Sequence, residues 1–182
     1  MHEESPAVQC LPIHLPNEHY VNFHAHQTVN KVLARKNVKK TQLTAWFDYN
    51  SAHDDGLGLI YWQFPQHYTW NAKDKSWHPR QCARVIGRMY FVSPSKREQF
   101  FLRLLLTIFK GRKSWKYLRT WNGQVFAIFK EACIARGLLE DDYEWRICLE
   151  EAIAMQPGMA CRWLLVVILL TDEVAEPHLF WN

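Results

Sequence analysis

The spacing of apolar residues changes character at Pro94, and a single regular architecture cannot accommodate both halves. Upstream, apolar positions come in short runs broken by turn residues. Leu11, Ile13 and Leu15 fall on one strand face and Val21 and Phe23 follow Pro16-Asn17, so two short strands are expected over 11–23. Residues 60–64, 68–70, 77–79 and 85–92 read as further strands, with a polar turn over 71–75. One short helix interrupts them: Thr41 stands as its N-cap, and Leu43, Trp46 and Phe47 share a face. His53-Asp54-Asp55-Gly56 reads as a turn.

Downstream of Pro94 the period is helical. Ser95-Lys96-Arg97-Glu98 has the form of a capping box ahead of Phe101, Leu104, Leu105 and Ile108, with Gly111 as the stop. Asn122-Gly123 marks a turn. A second helix is expected over 125–136, with Phe126, Phe129 and Cys133 on one face and Gly137 closing it. A third starts at Asp141 or Asp142 and carries Trp145, Cys148, Leu149 and Ala152; Pro157-Gly158 breaks it, and a fourth runs to about Leu170. The expected class is α+β, with a small β-rich N-terminal half holding a short helix and a C-terminal half of about four packed helices. The expected divisions are a disordered leader over 1–10, a β-rich subdomain over 11–94 and a helical subdomain over 95–182. All belong to one compact domain, which breaks off at Phe180-Trp181-Asn182 as if cut from a longer polypeptide.

Composition supports a packed interior. Of 182 residues, 48 % are hydrophobic and 22 % charged, and 9 Trp, 7 Tyr and 10 Phe can fill a substantial core. None of the five cysteines forms a C-x-x-C pair, and Cys133 and Cys148 fall among apolar helical neighbours; buried thiols in a reducing, intracellular compartment follow. The opening residues lack the basic and apolar regions of a signal peptide. The longest apolar run, Trp163–Leu170, falls short of the roughly 20 residues that cross a bilayer, so no membrane association is expected.

Catalytic patterns are incomplete. Lys113-Ser114 ends like a phosphate-binding loop, but Thr107 and Arg112 occupy its glycine positions and a helix precedes it. Val166–Leu170 with Asp172-Glu173 imitates a magnesium-holding strand end, with Thr171 intruding. His24 and His26 would share a strand face and form a usable metal pair, with His14 and His19 nearby; metal-free surface histidines are the plainer reading. Glu140, Asp141, Asp142 and Glu144 suit a helix N-terminus.

The net charge of +4 is modest, but the basic residues cluster. Lys36, Lys39 and Lys40 end one patch. Arg84 and Arg88, then Arg97 and Arg103, form another. Arg112, Lys113, Lys116 and Arg119 form a third, interleaved with Trp115 and Tyr117. Cations neutralise phosphates and exposed rings stack on unpaired bases, so these are candidate nucleic-acid contacts. The alternative is a solvated face with the two aromatics buried beneath it.

Several strings resemble one family. They are Thr41-Gln42-Leu43-Thr44-Ala45-Trp46-Phe47; Phe64-Pro65 with Tyr68, Trp70 and Trp77; and Ile86-Gly87-Arg88-Met89-Tyr90-Phe91-Val92-Ser93-Pro94. Phe101-Leu102-Arg103-Leu104-Leu105-Leu106, Leu118-Arg119-Thr120, Ala132-Cys133 and Gly137-Leu138-Leu139-Glu140-Asp141-Asp142 continue the match. Together they resemble the large proteins of Helitron rolling-circle transposons, in the segment between the replication-initiator nuclease and the ATP-dependent DNA helicase core. The resemblance implies a DNA-associated connector acting in the nucleus, with single-stranded DNA and the rest of a nuclease-helicase polypeptide as partners. ATP and magnesium would belong to the downstream motor, so this chain holds no cofactor and is inactive as an ATPase alone. Lys96-Arg97 departs from the small residue and glycine common in the family. A structural or protein-interaction module without DNA contact is the competing expectation.

Overall fold

A computed structural model describes residues 6–19, 39–81, 85–139, 143–155 and 158–170. The fold is α+β: seven α-helices and three two-stranded sheets among the described residues. The chain divides into two compact units, and it visits each of them twice. The first holds residues 1–90 and 106–117, and the second holds 91–105 and 118–182. The first unit therefore recruits a segment from beyond Pro94.

In the first unit, β1 (Ala7–Leu11) pairs in parallel with β4 (Val85–Met89), Ala7 opposite Val85 and Leu11 opposite Met89. The N–H of Tyr90 donates to the Leu11 carbonyl at 3.1 Å and extends the ladder. Residues 7–10 of the expected leader therefore lie in a strand, while residues 1–5 lie outside the described residues. The run AVQCL is apolar at four of its five positions but lacks the strict alternation of a half-buried strand, and its backbone groups pair with a strand far along the sequence. The pairing also corrects the strand expected at 11–15, since only Leu11 is in the strand and Pro16-Asn17 form a turn.

Helix α1 (Gln42–Ala52) begins as expected at Thr41, whose side chain accepts from the Thr44 N–H while Thr44 Oγ1 accepts from the Thr41 N–H. Its buried face of Leu43, Trp46 and Phe47 meets an aromatic core. Trp46 lies 5.3 Å from Tyr61, Phe64 stacks on Tyr68 at 4.1 Å, and the Trp77 edge meets Phe64 at 5.3 Å. Trp77 Nε1 donates to the Gln42 carbonyl at 3.0 Å, so its one polar atom is satisfied inside the core.

The strand expected at 60–64 is instead a 3-10 turn (Tyr61–Gln63) running into α2 (Phe64–His67). Pro65 lacks an N–H for a ladder but suits a helix start. β2 (Tyr68–Asn71) and β3 (Ser76–Pro79) form the expected hairpin, with Asn71 Oδ1 accepting from the Lys73 N–H at 2.9 Å in the turn. Gly87 lies where β4 meets this corner: a Cβ there would run into the Trp62 carbonyl and approach Pro65 Cδ to 3.1 Å.

In the second unit, a 3-10 turn (Pro94–Lys96) capped by Ser93 precedes α3 (Glu98–Ile108). Residues 98–105 of α3 belong to this unit and 106–108 to the first. The expected Ser95–Glu98 capping box does not form. Ser95 Oγ bonds Ser93 Oγ at 2.9 Å, and Glu98 turns to α5 (Phe129–Ile134), its carboxylate accepting from the N–H groups of Phe129 at 2.6 Å and Lys130 at 3.1 Å. Between them in sequence lie α4 (Trp115–Leu118), whose residues 115–117 belong to the first unit, and the β5–β6 hairpin (Thr120–Trp121 and Gln124–Val125) of the second. The hairpin turns on Asn122 and Gly123, both with positive φ as a two-residue primed turn requires.

Helix α5 is shorter than the expected 125–136 because the hairpin takes its start. It closes as expected at Gly137, whose N–H reaches Ile134 O while the Leu138 N–H reaches Cys133 O. α6 (Tyr143–Met155) and α7 (Gly158–Leu169) follow. Phe100 stacks flat on Trp145 at 5.0 Å, and Cys133 and Cys148 are buried thiols.

Candidate nucleic-acid interface

The cationic segment that the sequence singles out after α3 is held against Leu59 and α1 and capped within itself. The Gly111 N–H donates to Leu59 O at 3.0 Å, with Gly111 at φ 56 beside Leu57, a conformation and approach that favour glycine. Asn50, fully buried on α1, donates from Nδ2 to Arg112 O at 3.0 Å. Ser51 Oγ donates to Phe47 O at 2.8 Å and passes within 3.4 Å of Lys113 O. Ser114 Oγ then accepts from the Tyr117 N–H at 3.1 Å and caps the short α4. Residues 109–117 thus form a strap held at its backbone, with its three lysines exposed.

Along the strap the side chains divide sharply. Lys110, Lys113 and Lys116 are exposed. Arg112 is half-buried, with its guanidinium 4.8 Å from the Phe109 ring centroid and 5.2 Å from that of Tyr117. Burial pulls the Arg112 pKa below its usual value and the nearby Tyr117 works against that; an arginine remains cationic throughout. Trp115 packs edge-on against Phe47 at 4.9 Å and meets His14 at 5.6 Å, so its ring serves the core. His14 also bonds Thr41 Oγ1 through Nε2 at 2.8 Å. His14 thus links Thr41 and Trp115, the chain neighbours of Lys40 and Lys116.

The other candidate cations are scattered. Lys39 and Lys40 are exposed, and Lys40 pairs with Asp48 at 3.5 Å. Arg88 projects from the outer face of β4, beside Ile86. Arg97, in the second unit, is exposed at a residue with φ 38. Arg103, an expected phosphate contact, is only 8 % exposed and so offers little surface to a passing strand. Arg119 donates to the Ala127 carbonyl and lies 5.5 Å from the Phe129 ring, so it braces the hairpin. Lys36, Arg84, His24 and His26 lie outside the described residues. Of the two aromatics expected there, Tyr117 is the exposed ring; Asn50 as the anchor was not expected, and a polar Asn inside the apolar face of α1 was the available signal.

The residues do not fit a nucleotide site at Lys113-Ser114. The Ser114 hydroxyl is committed to the Tyr117 cap, and the preceding element is helix α3. His14 is equally committed: Nδ1 bonds Leu15 O at 2.9 Å while Nε2 bonds Thr41, which leaves neither nitrogen for a metal. Among the described residues no group of three His, Cys, Asp or Glu is arranged to hold a metal ion, and no helix is long and apolar enough to cross a membrane.

The remaining polar cluster is structural. Tyr49 donates to Asp55 Oδ2 at 3.1 Å and Tyr49 stacks on His53 at 4.3 Å, closing the turn after α1. Burial and the Asp55 carboxylate both raise the Tyr49 pKa, so this phenol is not activated as a nucleophile. No protein-family model and no curated protein sequence matches the chain.

Proposed function

We propose that this chain is a connector segment of a Helitron-type DNA helicase that holds unpaired DNA near the motor and carries no ATPase site of its own. The strap supports this reading most. It offers Lys110, Lys113 and Lys116 from a fixed backbone together with an exposed aromatic ring, which is the equipment of a sequence-tolerant single-strand binder. The family strings supply the context: nuclease upstream, helicase motor with ATP and magnesium downstream, and a nuclear site of action.

The test is fluorescence anisotropy with a labelled single-stranded oligonucleotide at about 50 and about 200 mM salt. Binding at the lower salt that weakens at the higher is expected. A chain that fails to bind at the lower salt overturns the reading.

A second reading, a protein-interaction module without DNA contact, is favoured by one surface of the second unit. Met159, Trp163, Val166 and Leu170 follow a four-three-four spacing along α7 and its last turn, and Met159 is 81 % and Trp163 70 % exposed. That spacing is a helix-docking seam. Charge reversal by Lys113→Glu with Lys116→Glu discriminates the two: it abolishes oligonucleotide binding under the first and leaves any residual binding unchanged under the second.

A further inference from the structure

The strap contains two aromatic side chains next to exposed lysines, and only one of them is free to do more than pack. Trp115 is held between Phe47 and His14. Tyr117 is 49 % exposed, and its ring stands over the Arg112 guanidinium at 5.2 Å. Phe109 supports the same guanidinium at 4.8 Å, so ring, cation and ring are layered.

We infer that Tyr117 is the base-stacking residue of an unpaired-strand site, with Arg112 bracing the ring and Lys113 and Lys116 meeting the flanking phosphates; this rests on the DNA-holding function proposed above. The chemistry follows from the layering. A stacked base needs one open ring face, and half of Tyr117 is open. The guanidinium beneath adds positive potential, so the platform attracts the electron-rich face of a base and the backbone that carries it. Lysines placed one residue before and four residues before the tyrosine supply phosphate charge without demanding a sequence, since every base has a stacking face.

Preorganisation strengthens the case. Gly111 and Arg112 each have a backbone group bonded to a partner outside the strap, and the Tyr117 N–H is capped by Ser114 within it. Little loop entropy is left to lose when a strand arrives. Other exposed rings lack this setting. Tyr90 is 59 % exposed but has only Arg88 as a cationic neighbour in sequence, and Trp163 sits within the apolar stripe of α7. Trp121 already carries Arg136 at 5.1 Å and lies in a hairpin without exposed lysines.

The experiment pairs equilibrium binding with a local stacking probe, using a single-stranded oligonucleotide that carries 2-aminopurine at successive positions. Wild type is expected to quench the probe at one register. Tyr117→Ala is expected to bind about 5- to 100-fold more weakly and to lose the quenching, with an unchanged salt slope. Tyr117→Phe keeps the ring and is expected to match wild type in both readouts. Melting curves of the three proteins should coincide within a few degrees, since Tyr117 is half exposed. If Tyr117→Ala binds and quenches like wild type, the stacking role is overturned while the DNA-holding function stands. If Tyr117→Phe fails as Tyr117→Ala does, the hydroxyl and not the ring is used, and stacking is overturned again. If wild type itself does not bind at low salt, both fall together.

Discussion

His14 shows how one side chain can be tied into a fold at both of its nitrogens. Nδ1 donates to Leu15 O, and Nε2 accepts from the Thr41 hydroxyl, whose lone pair in turn accepts the Thr44 N–H that starts α1. That arrangement requires the neutral ring. Burial depresses the His14 pKa from 6.5; the Leu15 carbonyl opposes the shift and the nearby His19 adds to it. The unfolded chain therefore binds the proton more readily, and stability falls as pH drops below about 6.5. The melting temperature is expected to decline between pH 7.5 and 5.5, and His14→Asn should melt lower at pH 7.5 but lose less on acidification. A wild-type profile flat across that window would contradict the assignment. Asn50 is the second such residue. Asn50→Ala leaves the Arg112 carbonyl without its donor inside the fold, and an urea titration is expected to read a loss of about 1–3 kcal/mol. Neither role was legible beforehand: His14 looked like a spare ligand beside a metal pair, and the partners of Asn50 are 62 residues away.

Elements were legible where a local rule fixed them and illegible where a distant partner did. Thr41, Gly137 and Asn122-Gly123 act through neighbours in sequence, and each cap or turn formed as its residues dictated. Ser95 and Glu98 have the right spacing for a local box, yet two bare N–H groups at the start of α5 offer Glu98 a better use. A carboxylate there also meets the positive end of the helix dipole. Glu98→Ala is expected to cost about 1–2 kcal/mol, and Glu98→Gln less, measured by denaturant unfolding. A loss in Glu98→Ala no larger than at exposed Glu131 would show that the cap does not matter. β1 escaped notice because its ladder is completed by β4, and the region 60–64 passed for strand because tyrosine, tryptophan and phenylalanine favour both strands and packed corners. Gly87 joins these two misjudged elements. Gly87→Ala pushes a methyl group into the Trp62 backbone, where nothing can rotate away, and is expected to destabilise by about 3 kcal/mol or more. Recovery of a wild-type melting curve in that variant would refute the tight approach.

At the scale of the whole molecule, chain order and unit membership differ. The change of period at Pro94 falls near the first crossing between the units, after Tyr90, but residues 106–117 return to the first unit and bring it Trp115 and the strap. Pattern alone could not assign that return, because an apolar helix such as α3 reads the same whichever core receives it. A fragment ending at Pro94 is therefore expected to lack a cooperative melting transition and near-ultraviolet circular dichroism; a folded 1–94 fragment would contradict the division. The site shares this limit. Clusters of cations were visible as clusters, while their separation into the exposed lysines of the strap, the buried Arg103 and the bracing Arg119 depended on the fold. The central claim, that the strap carries an unpaired DNA strand, is tested most directly by the salt dependence of oligonucleotide affinity in wild type and in Lys113→Gln with Lys116→Gln. Removing two phosphate contacts should lower the slope of log affinity against log salt by about 1.4. An unchanged slope in the double variant would contradict the claim.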